Sequence, residues 1–201
     1  MNRLGLMHPS TLRGRHMADT RALYEAFSRD NAAVHDAYFT TKLPSTGALI
    51  GPWGIHLHTP RLGRALMDFT TALRELPELK AKTREIAILT VCVRERAFYE
   101  VYAHSRVALL LGLTDQELNM LVYGLCPESL TGEEKAAYDV ARELCTSSGP
   151  IAQLTWDTAV VQLGRDGALA LVQHIGHYRY LATIERGFDA QVPAEGDRVE
   201  D

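Results

Sequence analysis

The sequence predicts an all-α protein, and three observations support this fold class. Apolar residues recur at three- and four-residue spacing through most of the chain. Two threonines, Thr114 and Thr131, are each followed three residues later by a glutamate, which is the signature of a capped helix start. No alternation of apolar and polar residues persists for more than a few positions, so β-strands are not predicted.

Each predicted helix begins or ends at a residue with a known capping or breaking tendency. Pro60 opens one helix after Thr59, and Pro77 stops it. Gly112 is predicted to end the long central helix as a C-cap glycine. The segment 51–58, GPWGIHLH, is predicted as a loop because of its glycines and proline. The predicted helices are Asp19–Phe39, Arg61–Leu76, Thr83–Leu111, Asp115–Tyr123, Thr131–Leu144, a helix of about nine residues from Thr155 to Gly164, and Gly167–Ala190.

The domain organisation follows from the same breaks. Residues 1–44 are predicted as an N-terminal arm, without apolar periodicity up to residue 17, followed by one helix. Residues 45–193 are predicted as a single helical domain, and 194–201 as a polar, frayed tail. The 201 residues, 46% of them hydrophobic, are enough for one domain with its own core.

Composition excludes several classes of protein. A formal net charge of −4 gives no reason to expect nucleic acid or an anionic membrane surface as a partner. No apolar run approaches the length of a membrane span, and the N-terminus lacks the apolar segment of a secretory signal, so we expect a cytoplasmic protein. The three cysteines, Cys92, Cys126 and Cys145, form no C-x-x-C pair, and Cys92 and Cys145 are predicted to be buried thiols.

The central segment Thr83–Leu111 carries the candidate catalytic residues. Glu100 and His104 are four residues apart and therefore share a helix face. Glu85 precedes Glu100 by about four helical turns, so an unbroken helix would return it to nearly the same face. Two carboxylates and an imidazole that face one pocket are suited to general acid–base chemistry.

Several sequence blocks together are similar to the carboxymuconolactone decarboxylase family, which includes the alkylhydroperoxidase D branch. The resemblance covers about residues 45–193. It rests on these blocks: REIAIL (Arg84–Leu89), YEVYAH (Tyr99–His104), A-x-x-x-G-L-T-D-Q-E (Ala108–Glu117), GPW and HTPRLGRAL within Gly51–Leu66, and LVQHIGHYRYLATI (Leu171–Ile184).

The resemblance implies a bundle of the alkylhydroperoxidase D-like type that assembles as a homo-oligomer, with a trimer, hexamer or dimer expected. The peroxidase branch carries a Cys-x-x-Cys pair whose positions here are Ala97 and Glu100. A thiol peroxidase needs one thiolate to attack the peroxide and a second thiol to resolve the product. The peroxidase activity is therefore disfavoured. The branch's glutamate and histidine match Glu85 and His104.

The function that the resemblance implies is a lyase without cofactor or metal, a decarboxylase of a small carboxylated lactone or keto acid from aromatic catabolism or secondary metabolism. We expect His104 to donate a proton or stabilise an enolate, with Glu100 or Glu85 tuning its pKa. The catalytic candidates are thus His104, Glu100 and Glu85. The candidate substrate-binding residues are Trp53, His56, His58, Tyr99 and His177.

Simpler roles for these residues remain open at this point. Glu85 can stabilise the first turn of a helix, Glu100 can form a surface pair with Arg96, and His104 can be a core histidine. His174 and His177 can be structural. Tyr178 is predicted as a core tyrosine with a hydrogen-bonded hydroxyl. The same pocket also suits an isomerase, dehydratase or cyclase, and a non-catalytic oligomeric binding protein is the third alternative.

Overall fold

The computed structural model describes residues 2–195, which in this range are mostly α-helical. Met1 and the last six residues of the predicted polar tail, 196–201, lie outside the described residues. Within the described range, the extended pairing is limited to one isolated bridge between Lys42 and Leu49, so the all-α prediction is confirmed. The helices are α1 (Ala18–Val34), α2 (Gly51–His56), α3 (Pro60–Arg74), α4 (Ala81–Glu95), α5 (Phe98–Leu110), α6 (Asp115–Val122), α7 (Gly132–Thr146) and α8 (Gln153–Phe188), with 3-10 helices at Pro9–Thr11 and Arg15–Met17.

The chain divides into two compact units. The first comprises Met1–Ala72 and Ile184–Asp201, and the second comprises Leu73–Thr183. The division predicted at residues 44 and 193 stays a prediction. None of the helices within residues 2–195 is both long enough and apolar enough to cross a membrane.

In the first unit, helix α1 packs an apolar face onto the segment that follows it. Leu23 and Phe27 form a buried cluster with Leu49 and Leu57. The helix ends five residues earlier than predicted, at Val34. His35 leaves the helical conformation, and the carbonyl of Asn31 accepts hydrogen bonds from the amides of both His35 and Asp36, at 2.7 and 2.8 Å. The carbonyl of Asn31, which accepts both bonds, thus marks the end of the helix, although the apolar spacing of the sequence continues to Phe39.

The loop predicted at residues 51–58 is wrong, because Gly51–His56 forms the short helix α2. Pro52 lies in its first turn, where a backbone N–H has no intrahelical partner and its loss costs nothing. Gly54 is required by close packing rather than by flexibility, since a Cβ atom there would lie 2.3 Å from the carbonyl oxygen of Leu49. Pro52 and Gly54, which helped to suggest a loop, therefore both fit a tightly packed helical turn.

The second unit is built around helix α4, which packs against α5, α6 and α7. Its residues from Glu85 to Cys92 are all buried, so the helix is enclosed on every side. On one side, Ala87 and Val91 pack with Val140 of α7 and Leu171 of α8. On the other, Ile86 and Leu89 join a cluster with residues of α5, α6 and α7.

The predicted single helix Thr83–Leu111 is wrong, because the chain breaks between α4 and α5. Arg96 adopts a left-handed conformation (φ 58°, ψ 39°), and the amide of Ala97 donates to the carbonyl of Cys92 at 2.9 Å. A left-handed residue with this bond is a common way to end a helix, although glycine usually occupies the position. The start also differs: Lys80 is the N-cap, and Thr83 lies inside the helix.

The predicted capping boxes are confirmed. Thr114 with Glu117 caps α6, and Thr131 with Glu134 caps α7, each through reciprocal side chain–backbone hydrogen bonds. The predicted cap at Thr155 is wrong, because α8 already begins at Gln153 and the Thr155 hydroxyl donates to Glu143 at 2.6 Å. The predicted end at Gly164 corresponds to a kink within α8, where φ is 72°.

Candidate acid–base site

His104 lies between two buried carboxylates in the second unit. Its Nδ1 is 2.5 Å from Oε2 of Glu85, and its Nε2 is 3.3 Å from Oε2 of Glu100. Glu85 belongs to α4, whereas Glu100 and His104 are one turn apart on α5. The side chains of the two glutamates are 4% and 5% exposed, so water hardly screens these contacts. The three candidate catalytic residues are therefore brought together.

The two contacts hold His104 as an imidazolium. A neutral imidazole has only one N–H and can donate to one carboxylate, whereas the protonated ring donates to both. Burial by itself lowers the pKa of His104, but the negative charges and hydrogen bonds of Glu85 and Glu100 outweigh it and raise the pKa to about 10. At neutral pH the cluster thus holds a buried positive charge with a transferable proton.

The break at Arg96 determines how the site forms. Because α4 ends there, Glu85 reaches His104 across the contact between two packed helices rather than along one helix. Glu85 lies in the second turn of α4 and is 3% exposed, so its position is not that of a surface charge at a helix terminus. The alternative of a surface pair between Glu100 and Arg96 is not favoured either, because Glu100 is buried and the Arg96 guanidinium lies over the ring of Phe98.

Helix α8 adds aromatic side chains to this site. The ring centroid of Tyr178 lies 4.9 Å from that of His104, with the ring planes nearly perpendicular. His177 is buried, and its ring centroid lies 5.2 Å from that of Tyr178. Tyr178 packs against two core clusters, as predicted for a core residue, and the hydrogen bond predicted for its hydroxyl stays a prediction. Its contact with the His104 ring makes it a site residue that sequence reasoning missed.

Of the predicted substrate-binding residues in the second unit, Tyr99 is fully buried at the start of α5, beside Glu100 in sequence. Its ring lies 6.0 Å from that of Tyr102. His177 lies near the cluster through Tyr178, as described above. Substrate binding by Tyr99 and His177 stays a prediction.

Trp53, His56 and His58 belong to the first unit. His56 is buried, and its Nδ1 donates to the carbonyl of Pro52 at 2.7 Å. Burial lowers the pKa of His56, and this hydrogen bond partly offsets the effect. Nε2 of His58 lies 3.2 Å from the Gly5 carbonyl. Trp53 packs against His35 and Phe39. Their predicted role in substrate binding stays a prediction.

The cysteines do not form a redox pair. None of the three forms a disulfide within the described residues. Cys92 is fully buried, as predicted, but the prediction of a buried thiol is wrong for Cys145, which like Cys126 is only partly buried. Burial raises the pKa of Cys145 to about 11, and it also raises that of Cys126, so neither thiol is activated as a thiolate. Within the described part of the chain, no group of three or more His, Cys, Asp or Glu side chains is arranged to bind a metal ion.

Comparison with solved structures identifies the class of fold. A peroxidase-related protein from Ralstonia eutropha JMP134 with an alkylhydroperoxidase AhpD core superposes with a TM-score of 0.75 at 13% identity, covering 96% of this chain and 93% of that one. A protein of unknown function from Agrobacterium tumefaciens has a TM-score of 0.64 at 16% identity, covering 70% and 96%. The debrominase Bmp8 bound to 2,3,4-tribromopyrrole has a TM-score of 0.66 at 13% identity, covering 91% and 90%.

The protein is thus an all-α protein of the AhpD-like fold. Its sequence matches the profile of the Carboxymuconolactone decarboxylase family over residues 60–143, which contain Glu85, Glu100 and His104. This match confirms, over that part of the chain, the resemblance to the family that the sequence predicted. Comparison with curated protein sequences gave no match.

Proposed function

We propose that the protein is a cofactor-independent decarboxylase of a small carboxylated lactone or β-keto acid. The observation that supports this proposal is the buried imidazolium of His104, paired with carboxylates on both ring nitrogens. Decarboxylation without a cofactor requires a carbonyl that accepts the electrons of the breaking bond. A fixed positive charge in a poorly solvated site stabilises the enolate that results.

The two carboxylates have different roles in this reaction. The 2.5 Å contact of Glu85 with Nδ1 is the shorter one, so Glu85 holds the ring in place and keeps it protonated. The contact of Glu100 with Nε2 is longer, at 3.3 Å, and is the one that a substrate can open. Nε2 of His104 is therefore the atom that donates a proton to the substrate, and Glu100 is the group through which Nε2 is protonated again.

The bond between the carboxyl carbon and the α-carbon of a β-keto acid breaks, CO₂ leaves, and the bonding electrons form an enolate on the β-carbonyl oxygen. The imidazolium of His104 stabilises this oxygen and transfers the Nε2 proton to the α-carbon, which gives the ketone. Water then returns a proton to His104 through Glu100. Positioned proton transfer of this kind contributes a rate factor of about 10²–10⁴.

The proposal is tested by CO₂ release from a panel of β-keto acids and carboxylated unsaturated lactones. We expect His104→Gln and Glu85→Gln to lower kcat on the best substrate by about 100-fold or more. Glu95→Gln is the matched control, because Glu95 lies on the same helix but pairs with Arg179 near the surface.

A cysteine-free variant, Cys92→Ala with Cys126→Ala and Cys145→Ala, distinguishes thiol chemistry and should keep its activity when folded. Full activity in His104→Gln, or turnover that disappears only with the cysteines, would contradict the proposal. Product formation without CO₂ would instead indicate isomerisation, dehydration or cyclisation in the same site.

A further inference from the structure

An open cleft in the second unit is lined by the last turn of α4, by helix α7 and by the loop between α6 and α7. Its volume is about 350 Å³, which lies within the range of small-molecule sites. Three cationic side chains, Arg94, Lys135 and Arg142, line the cleft together with the acidic side chains of Glu128 and Asp139. None of these five residues takes part in the acid–base site, so the proposed decarboxylation does not explain the cleft.

The cleft is separate from the acid–base site, although both include residues of α4. Glu85 and Arg94 are nine residues apart on this helix, which corresponds to about 13 Å along its axis. Lys135 and Arg142 are seven residues apart on α7 and therefore lie on the same face, two turns from each other. The three cations thus reach one cleft from two helices.

The protein holds two of the three cations in place. Nη2 of Arg94 donates a hydrogen bond to the carbonyl oxygen of Gly124 at 3.2 Å, and the hydroxyl of the buried Tyr138 donates to the same oxygen at 3.0 Å. Nη2 of Arg142 donates to Oδ1 of Asp139 at 3.4 Å. A guanidinium has five N–H groups in a rigid fork, so one such contact orients the group while others can bind a ligand. Charges that are already oriented lose less entropy when a ligand binds.

The balance of charge in the cleft favours an anion. Asp139 is paired with Arg142, so its negative charge is already compensated within the protein. Glu128 is exposed to water and is the one acidic side chain that accompanies Arg94 and Lys135 in the lining. The lining therefore has an excess of positive charge, whereas the chain as a whole has a formal net charge of −4. A local positive region on a negatively charged protein attracts small anions.

The thiol of Cys126 lies among these charges. The cleft includes Cys126 in its lining, and the charges of Asp139, Lys135 and Arg142 all act on it. Burial and the charge of Asp139 raise the pKa of Cys126, so its thiol is neutral at physiological pH. A neutral thiol does not compete with a ligand for the cations, and its half-buried position makes it a reporter of whether the cleft is filled.

We propose that this cleft binds the phosphate group of a small molecule through Arg94, Lys135 and Arg142. Arginine forks match the geometry of phosphate oxygens, and lysine adds a mobile point charge. The buried Tyr138 contributes an apolar surface beside the cations, on which an organic part of the ligand can pack. The site is a second ligand site and does not depend on the reaction at His104.

The experiment measures the affinity of inorganic phosphate, phenyl phosphate and benzoate for the full chain by isothermal titration calorimetry at low ionic strength. The variants are Lys135→Gln and Arg142→Gln. Arg165→Gln is the matched control, because Arg165 is an exposed cation on α8 outside the cleft. We expect phenyl phosphate to bind about tenfold more weakly to each of the two variants and unchanged to the control.

The alkylation rate of Cys126 by iodoacetamide locates the bound ligand. Mass spectrometry of peptides distinguishes Cys126 from Cys145, which is also partly buried but does not line the cleft. We expect saturating phenyl phosphate to slow the alkylation of Cys126 at least about threefold and to leave that of Cys145 unchanged, as follows when a ligand covers only the first thiol.

The probes identify the source of the phosphate group. Equal affinities for phosphate and phenyl phosphate point to inorganic phosphate, and tighter binding of phenyl phosphate points to a phosphate monoester; both results support the site. Tighter binding of benzoate than of phenyl phosphate overturns the assignment to phosphate. Absence of phosphate binding, or an equal loss of affinity in Arg165→Gln, overturns the site itself.

Discussion

Replacing Glu85 with glutamine tests the central electrostatic argument. The substitution keeps the shape of the side chain but removes the negative charge 2.5 Å from Nδ1 of His104. A pKa raised from 6.5 to about 10 corresponds to about 5 kcal/mol of preferential stabilisation of the imidazolium, at about 1.4 kcal/mol for each unit of pKa. Part of this energy comes from Glu100 and remains in the variant.

The pH dependence of stability has a definite sign. The pKa of His104 is higher in the folded protein than in the unfolded chain, so folding is stabilised in full below about pH 6.5. This stabilisation is lost as the pH rises towards 10. At pH 7 we expect Glu85→Gln to lower the free energy of unfolding by about 2–4 kcal/mol. Above pH 10 the difference should shrink, because the ring is then neutral, whereas Glu85 keeps its ion pair with Arg84 at 3.6 Å.

Two measurements check this prediction. Chemical denaturation at a series of pH values gives the free energy of unfolding, and NMR titration of the histidine rings gives the pKa of His104, assigned with His104→Gln. We expect the pKa of His104 to fall towards 6.5 in Glu85→Gln and to stay unchanged in the surface control Glu95→Gln. A wild-type His104 that titrates near 6.5, or a stability difference that does not depend on pH, would refute the reasoning.

Two further predictions concern packing and assembly. Gly54→Ala should lower the free energy of unfolding by about 2 kcal/mol or more, because the new Cβ would meet the Leu49 carbonyl. Gly176 is a helical glycine with open space around it, so Gly176→Ala should raise the free energy of unfolding by about 0.5–1 kcal/mol. Equal effects of the two substitutions in thermal unfolding would contradict this difference. We also propose that the protein is a homo-oligomer, because Leu110 and Tyr123 are 66% and 81% exposed, and light scattering should show more than one chain per particle. A monomer at micromolar concentration would count against that proposal.

Local sequence signals predicted the helices well where capping chemistry determines them. The boxes at Thr114 and Thr131 depend on residues three apart, which the sequence shows directly. The break at Arg96 could not be predicted in the same way, because the left-handed position is occupied by arginine instead of the expected glycine. The short helix at Gly51–His56 was missed because close packing, not a turn, requires Gly54.

The candidate site could be predicted in its members but not in its geometry. The i, i+4 spacing of Glu100 and His104 holds because both lie on α5. Glu85 was predicted to reach His104 along one continuous helix. It reaches His104 instead because α4 packs against α5. Tyr178 lies more than seventy residues after His104 in the chain, and only tertiary packing brings the two rings together.

The placement of Glu85 and His104 on separate helices links protonation to local motion. Any fluctuation that separates α5 from α4 breaks the Glu85 contact and exposes His104 to water, where its pKa returns towards 6.5. At pH 8 such an opening would release close to one proton, and acid would favour reclosure. Hydrogen exchange of the α5 amides should therefore speed up with pH more steeply than base catalysis of exchange alone predicts.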